Sequence, residues 1–216
     1  MKHAAAEIVR EYGPFAVAGD DGIAGVTYDG ERIWFASGDR VNALDPDTGE
    51  IVGAVEVPAH AGTAFDGTHL FQIAETVIRK IDPASGKIVA TIPAPGNGGD
   101  SGLAWAEGSL WVGQHRDGKI HQIDPATGAV LRTLRSDRFV TGVTWVDGEL
   151  WHATWQDDVS EVRRIDPATG AVSPELGWAV VVQRPRALAY ASLGWMRLWV
   201  GVALGVCVVV ALGGAL

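Results

Sequence analysis

The sequence predicts an all-β fold, a β-propeller of four-stranded antiparallel blades, and three observations predict it. A turn signature, Asp-Pro-x-Thr/Ser-Gly, recurs at Asp45–Gly49, Asp82–Gly86, Asp124–Gly128 and Asp166–Gly170. Its spacings are 37, 42 and 42 residues, so each repeat is one supersecondary unit that stacks on the next. The runs between the turns are short, rich in Val, Ile and Trp, and bounded by Gly, Asp and Pro, which is the signal for strands and hairpins. Four such strands in roughly 40 residues match a propeller blade. A parallel β-helix would have shorter repeats, and helical repeats would lack the hairpins.

Each unit opens with an apolar run carrying a glycine, at Gly25, Gly62, Gly102 and Gly142. An acidic-Gly pair follows at Asp29-Gly30, Asp66-Gly67, Glu107-Gly108 and Asp147-Gly148. Between two apolar runs this pair predicts a tight hairpin, because glycine accepts positive φ. A second run follows with an aromatic at Trp34, Phe71, Trp111 and Trp151. Trp34, Trp111 and Trp151 share one repeat position and are expected in the core between sheets. A third run leads into the Asp-Pro turn. There Pro fixes the first turn position, the Asp side chain accepts from the backbone two residues on, and Gly takes the left-handed position. A fourth run closes the unit. The blades are expected at about 22–58, 59–95, 99–136 and 139–175. Residues 1–14 are expected to close the ring, with Glu7–Tyr12 as an outer strand against the last blade and a short helix as the alternative.

Strand direction assigns the faces. The acidic-Gly turn joins strands one and two, and the Asp-Pro turn joins strands three and four, so both lie on one face. The opposite face carries the connections between strands two and three and the links between blades. Ligands are expected there, on loops held by rigid strands. A calcium reading of Asp45, Asp82, Asp124 and Asp166 is disfavoured, since one carboxylate per turn supplies too few ligands.

The last 42 residues break the pattern. After Gly170 there is no acidic-Gly turn and no Asp-Pro turn, so a fifth blade of the ancestral ring is replaced by an apolar segment. Leu198–Leu216 holds no charge, with Arg184, Arg186 and Arg197 before it and Trp195 and Trp199 at its edge. Three readings stand: a transmembrane helix over 198–216 anchoring a cytoplasmic propeller, a non-native ending from a frameshift or fusion, and buried strands of an aberrant blade.

The 216 residues suit one domain, with the segment 176–216 as an atypical tail. A formal net charge of −9 and a pI near 5.0 speak against nucleic acid, which needs a basic stripe. The lone Cys207 excludes an intramolecular disulfide. Residues 1–7 have no apolar stretch of signal-peptide length, so a cytoplasmic location is expected.

Several stretches resemble the plant and bacterial glutaminyl cyclases, a family of five-bladed propellers. Residues 141–156, Thr-Gly-Val-Thr-Trp-Val-Asp-Gly-Glu-Leu-Trp-His-Ala-Thr-Trp-Gln, resemble that family's Asn-Glu-Leu-x-x-x-x-Gly-x-x-Trp-x-x-x-Trp-Gln blade. Gly99–Ala104 is similar to its Asp-Gly-Trp-Gly-Leu segment, and Leu70-Phe71-Gln72 to its Leu-Tyr-Gln. Propellers of the virginiamycin B lyase type share the recurring Trp and the Asp-Pro-x-Thr-Gly turn. The resemblance implies conversion of an N-terminal glutamine into pyroglutamate with release of ammonia. That chemistry needs a carboxyl group to shuttle a proton and a Trp-lined pocket. Residue by residue, the family's catalytic Glu falls on Ala61, two pocket Trp positions fall on Glu75 and Ser101, its Asn falls on Thr141, and Trp155 matches.

The residues expected at the mouth follow from the face assignment. His60, Glu75 and Asp100 are the acid–base candidates. Ser101, Gln114, His115, Thr141, Trp155 and Gln156 are the ligand-binding candidates. A metal site of His60, His115 and a carboxylate is a weaker reading, as no two ligands lie close in sequence. His121 and His152 fall in strands and are expected to be structural. No nucleophile triad, phosphate-binding glycine pattern or zinc spacing occurs, and no cofactor is expected. Two functional classes result: a glutamine cyclotransferase-like enzyme, or a non-catalytic propeller binding a small molecule or peptide at the channel mouth. A lyase or lactonase-like enzyme on the same fold is the alternative.

Overall fold

The computed structural model describes residues 10–13, 15, 22–157 and 159–173, and all regular structure among them is β. Four antiparallel sheets form the blades of a four-blade β-propeller. The first holds β1 (Gly25–Tyr28), β2 (Ile33–Ser37), β3 (Arg40–Leu44) and β4 (Ile51–Glu56). The second holds β5 (Thr63–Phe65), β6 (Leu70–Ala74), β7 (Val77–Ile81) and β8 (Ile88–Pro93). The third holds β9 (Asp100–Ala106), β10 (Ser109–Gln114), β11 (Lys119–Ile123) and β12 (Val130–Arg135). The fourth holds β13 (Phe139–Val146), β14 (Glu149–Gln156) and β15 (Val159–Ile165), with a single bridge from Ile165 to Val172 beyond its turn. Strands pair with their chain neighbours throughout.

The four Asp-Pro turns are built alike. The glycine N–H donates to the Asp carbonyl at 2.8 Å in every copy: Gly49 to Asp45, Gly86 to Asp82, Gly128 to Asp124 and Gly170 to Asp166. Each glycine has φ between 68° and 77°, a conformation with little penalty only for a residue without Cβ. Each Asp carboxylate accepts hydrogen bonds from the residues two and three positions on. For Asp124 these are Ala126 N–H at 2.9 Å, Thr127 N–H at 2.8 Å and Thr127 hydroxyl at 3.0 Å. The bonds favour the charged form and hold all four carboxyls below the usual range.

The acidic-Gly pairs divide into two classes, where sequence alone predicts one. Glu107-Gly108 and Asp147-Gly148 are the expected two-residue hairpins, with φ of 49° and 73°, and of 50° and 83°. Asp29 and Asp66 instead open four-residue loops, since Tyr28 pairs with Ile33 and Phe65 with Leu70. Asp29 Oδ1 accepts from Glu31 N–H at 2.8 Å and Arg32 N–H at 2.6 Å. Asp66 Oδ1 does the same for Thr68 and His69. Two polar residues before the next apolar run give the side chain room to cap the loop.

Three hydrophobic clusters fill the spaces between consecutive blades. Trp105 of the third blade stacks on Phe71 of the second at 5.7 Å, and Trp145 of the fourth on Trp111 of the third at 6.1 Å. Phe65 packs into the cluster that contains Trp34. Trp34, Phe71 and Trp111 are buried, whereas Trp151 is half-buried. The repeated glycines let the inner strands approach backbone to backbone. A Cβ on Gly62 would lie 2.3 Å from Leu103 N, and one on Gly102 would lie 2.3 Å from Val143 N.

No helix among the described residues is long and apolar enough to cross a membrane. The span expected over 198–216 lies outside the described residues. Of the segment expected to close the ring, residues 10–13 are described and form no strand. Tyr12 and Arg10 instead donate to the Pro46 and Asp47 carbonyls of the first blade's turn.

Candidate functional site

The face opposite the Asp-Pro turns carries a recess of about 660 Å³. It brings together six of the nine residues expected at the mouth: His60, Asp100, Ser101, Gln114, His115 and Thr141. Trp155 and Gln156 line a second recess of about 530 Å³, and the two share Arg116 and Asp117 on their rims. Glu75 lines neither. It is the first residue of a two-residue hairpin between Ala74 and Val77, has φ of 58°, and is exposed to solvent.

Asp100 is the electrostatic centre of the first recess. It is 9% exposed and begins the inner strand of the third blade. Both carboxylate oxygens face one donor, the Gly96 N–H, at 3.0 Å. Among the described residues no cation pairs with it. Burial therefore dominates and pushes the carboxyl up to about 6, with the Gly96 bond acting in the opposite direction.

The loop Gly96–Gly99 makes this possible. Gly99 N–H donates to Gly96 carbonyl at 2.9 Å across Asn97 and Gly98, whose φ values are 47° and 94°. A Cβ on Gly96 would sit 2.5 Å from Asp100 Oδ1, so the position admits the carboxylate only as glycine. His115 N–H donates to Gly99 carbonyl at 2.9 Å and its own carbonyl accepts from Val140 N–H at 3.2 Å. The loop is thus tied to the third and fourth blades.

The other residues divide by what their polar atoms already do. Ser101 hydroxyl points at two carbonyls, Gly113 at 3.1 Å and Val140 at 2.7 Å, and so joins the third blade to the fourth. Gln114 Oε1 lies 3.2 Å from His121 Nε2, and Thr133 hydroxyl lies 2.9 Å from His121 Nδ1. An amide oxygen only accepts, so His121 carries its proton on Nε2 and accepts from Thr133. Burial and Lys119 lower the pKa of His121, consistent with that neutral tautomer. His60 is exposed on the rim. His115 Nε2 is buried with no hydrogen-bond partner among the described residues. Its ring stands edge-on to Phe139 at 5.4 Å, making it the wall between the two recesses.

In the second recess Trp155 and Phe139 stack at 6.1 Å with planes 24° apart, and both are more than a third exposed. Phe139, Gly96 and Arg116 are absent from the set predicted from sequence. One signal was available for Gly96. The link from Ile92 to Gly102 spans ten positions, against seven from Val55 to Gly62, and the extra residues are glycine-rich. No group of three or more His, Cys, Asp or Glu among the described residues is arranged to hold a metal ion.

A buried carboxyl with a raised pKa, set among polar side chains on the face opposite the Asp-Pro turns, is the candidate functional group of the described residues. No protein-family model matches the chain, and no curated protein matches it. Among solved structures it is similar to a glutaminyl cyclase from Myxococcus xanthus, with a TM-score of 0.63 at 19% identity over 77% of this chain and 73% of that one. It is similar to a virginiamycin B lyase from Staphylococcus aureus, with a TM-score of 0.53 at 19% identity over 77% and 58%. A hydrazine synthase from Kuenenia stuttgartiensis gives a TM-score of 0.54 at 21% identity over 76% and 51%, so the chain spans about half its length. At these identities the likeness shows the fold.

Proposed function

We propose that this protein is a ligand-binding propeller whose mouth takes a protonated amine, such as the N-terminus of a peptide or a small amine, on the Asp100 carboxylate. The observation that carries this reading is Asp100 itself, buried with one backbone N–H and no counter-charge among the described residues. A buried carboxylate so placed costs free energy until a cation reaches it, and an incoming ammonium supplies that charge. The test is a calorimetric titration at pH 7 with a short glutaminyl peptide and its N-acetylated form. The free amine should bind and the acetylated peptide should not. Asp100→Asn should weaken binding roughly 30- to 100-fold, the loss expected when one partner of a buried charge pair is removed. Equal binding of the two peptides rejects the reading.

A second reading is favoured by the elevated pKa of Asp100. A carboxyl near 6 can both take and return a proton at neutral pH. In a glutamine cyclotransferase-like reaction it would take the proton of the attacking amine and pass it to the departing ammonia, as the amine nitrogen bonds to the carboxamide carbon. Ammonia release from the glutaminyl peptide, lost in Asp100→Asn, supports it. Binding without ammonia release leaves the non-catalytic reading standing.

A further inference from the structure

The two recesses of the mouth face meet at one short segment, and that segment carries an unused charge. His115 N–H donates to the Gly99 carbonyl, next to Asp100, and the His115 carbonyl accepts from Val140 N–H, next to Phe139. The chain at His115 therefore runs between the buried carboxylate and the aromatic shelf. Two hydrogen-bonded backbone spacings separate Gly99 from Val140, about 10 Å. Arg116 and Asp117 follow on this segment and line both recesses.

Most charges around the shelf are spent on each other. Asp117 pairs with Lys119 at 2.7 Å, Arg138 with Glu161 at 3.1 Å and Asp137 with Arg163 at 2.5 Å. Arg116 is exposed and has no ion pair or side-chain hydrogen bond among the described residues. Asp157, which lines the shelf recess alone, is exposed and has none either. Arg116 and Asp100 line the same recess, yet only burial and the Gly96 bond act on the Asp100 carboxyl. Arg116 therefore stands too far from Asp100 to neutralise it. Opposite charges held apart in one recess complement a ligand whose own opposite charges are held apart. Beside them Trp155 and Phe139, 41% and 38% exposed, stack on each other and leave aromatic surface open to the recess.

We infer that the mouth selects a free dipeptide with an aromatic second residue, its ammonium on Asp100, its terminal carboxylate on Arg116 and its ring on the Trp155–Phe139 shelf. This rests on the amine reading of Asp100 and adds what the ligand carries at its other end. An extended chain advances about 3.5 Å per residue. A ring on the first residue therefore stays beside Asp100, and a ring on the second reaches the shelf. The guanidinium of Arg116 offers paired N–H donors in the geometry of a carboxylate. Trp155 and Phe139 supply flat apolar area on which an aromatic ring stacks.

The probes are glutaminyl-phenylalanine, its C-terminal amide, its N-acetyl form and glutaminyl-alanine, each titrated calorimetrically into the full chain at pH 7. Glutaminyl-phenylalanine should bind roughly tenfold tighter than glutaminyl-alanine, the scale of one aromatic contact. Trp155→Ala should erase that preference. The amide should bind about threefold more weakly than the acid, as expected for an exposed ion pair, and Arg116→Gln should erase that difference. Trp155 and Arg116 are exposed, so both variants stay folded, which circular dichroism checks. Equal binding of the phenylalanine and alanine peptides, equal binding of acid and amide, or a preference that survives its substitution overturns this inference. If the acetylated peptide is still excluded, the amine reading stands. Acetylated peptide binding as tightly as the free one, or no binding of any probe, overturns both.

Discussion

The two faces of the propeller use the same side chain in opposite ways. On the turn face, Asp45, Asp82, Asp124 and Asp166 spend their carboxylates on N–H and hydroxyl donors two and three residues on. Their pKa values are lowered, and they shape the chain. On the mouth face, Asp100 is buried with a single N–H shared between its two oxygens, and its pKa is raised. An aspartate that repeats with the blades is architecture. One that does not repeat, and that an unrepeated glycine-rich loop holds in place, is available for chemistry.

The largest expected effect comes from disturbing what both faces rest upon. Gly102→Ala would place a methyl group 2.3 Å from Val143 N, against backbone that cannot yield, and should abolish folding. Gly142→Ala meets only Ala153 Cβ at 3.5 Å and should stay folded. Thermal unfolding followed by circular dichroism checks the pair. Equal behaviour would remove close blade approach as the reason for the repeated glycine.

The next effect belongs to the mouth. Gly96→Ala should expel the Asp100 carboxylate from its N–H, since the new methyl would lie 2.5 Å from Oδ1. Amine binding should fall by roughly tenfold or more, the scale of one lost charge-assisted hydrogen bond. Global stability should change little, because the loop carries no core side chain.

A third effect is visible in stability against pH. Asp100 has a folded pKa of about 6, above its unfolded value, so the folded state holds the extra proton between pH 4 and 6. Its contribution is present at low pH and lost as pH rises through about 6. His152 is buried and its pKa falls to about 4, chiefly by desolvation and then by Arg163. Its contribution is present above pH 6.5 and lost as pH falls towards 4. The two slopes oppose each other. Asp100→Asn should therefore stabilise the protein at pH 7, by on the order of 1–3 kcal/mol. It should also leave a steeper loss on acidification. Denaturant melts at pH 4.5, 5.5 and 7 measure it, and an unchanged slope would contradict the burial of Asp100.

The smallest effect is expected on the turn face. Asp124→Ala removes a fully solvated cap from one of four equivalent turns. It should lower the melting midpoint slightly and leave ligand affinity unchanged.

How much of this was legible in the sequence follows the same division. Repeated chemistry was readable, because a turn that recurs at a fixed period needs the same residues each time. Strand order, the two faces and the buried positions of Trp34 and Trp111 came from it, whereas Trp151 at the same repeat position is only half-buried. The four-residue loops after Asp29 and Asp66 were not, since Asp-Gly is compatible with either turn length until the cross-strand register is known. The mouth was readable only as a neighbourhood. Ser101 lies where expected, but its hydroxyl is committed to two carbonyls. Trp155 and Asp100 face different recesses, with His115 and Phe139 between them. Glu75 is turned outward by a tight hairpin. What set Asp100 apart was its burial and the approach of Gly96, both properties of the folded loop.

The most direct measurement is calorimetric titration of a free-amine glutaminyl peptide into wild type, Asp100→Asn and Asp124→Asn at pH 7. The unequal roles of the two faces predict binding to wild type, equal binding to Asp124→Asn, and a loss of roughly 30- to 100-fold in Asp100→Asn. Undiminished binding to folded Asp100→Asn would contradict them.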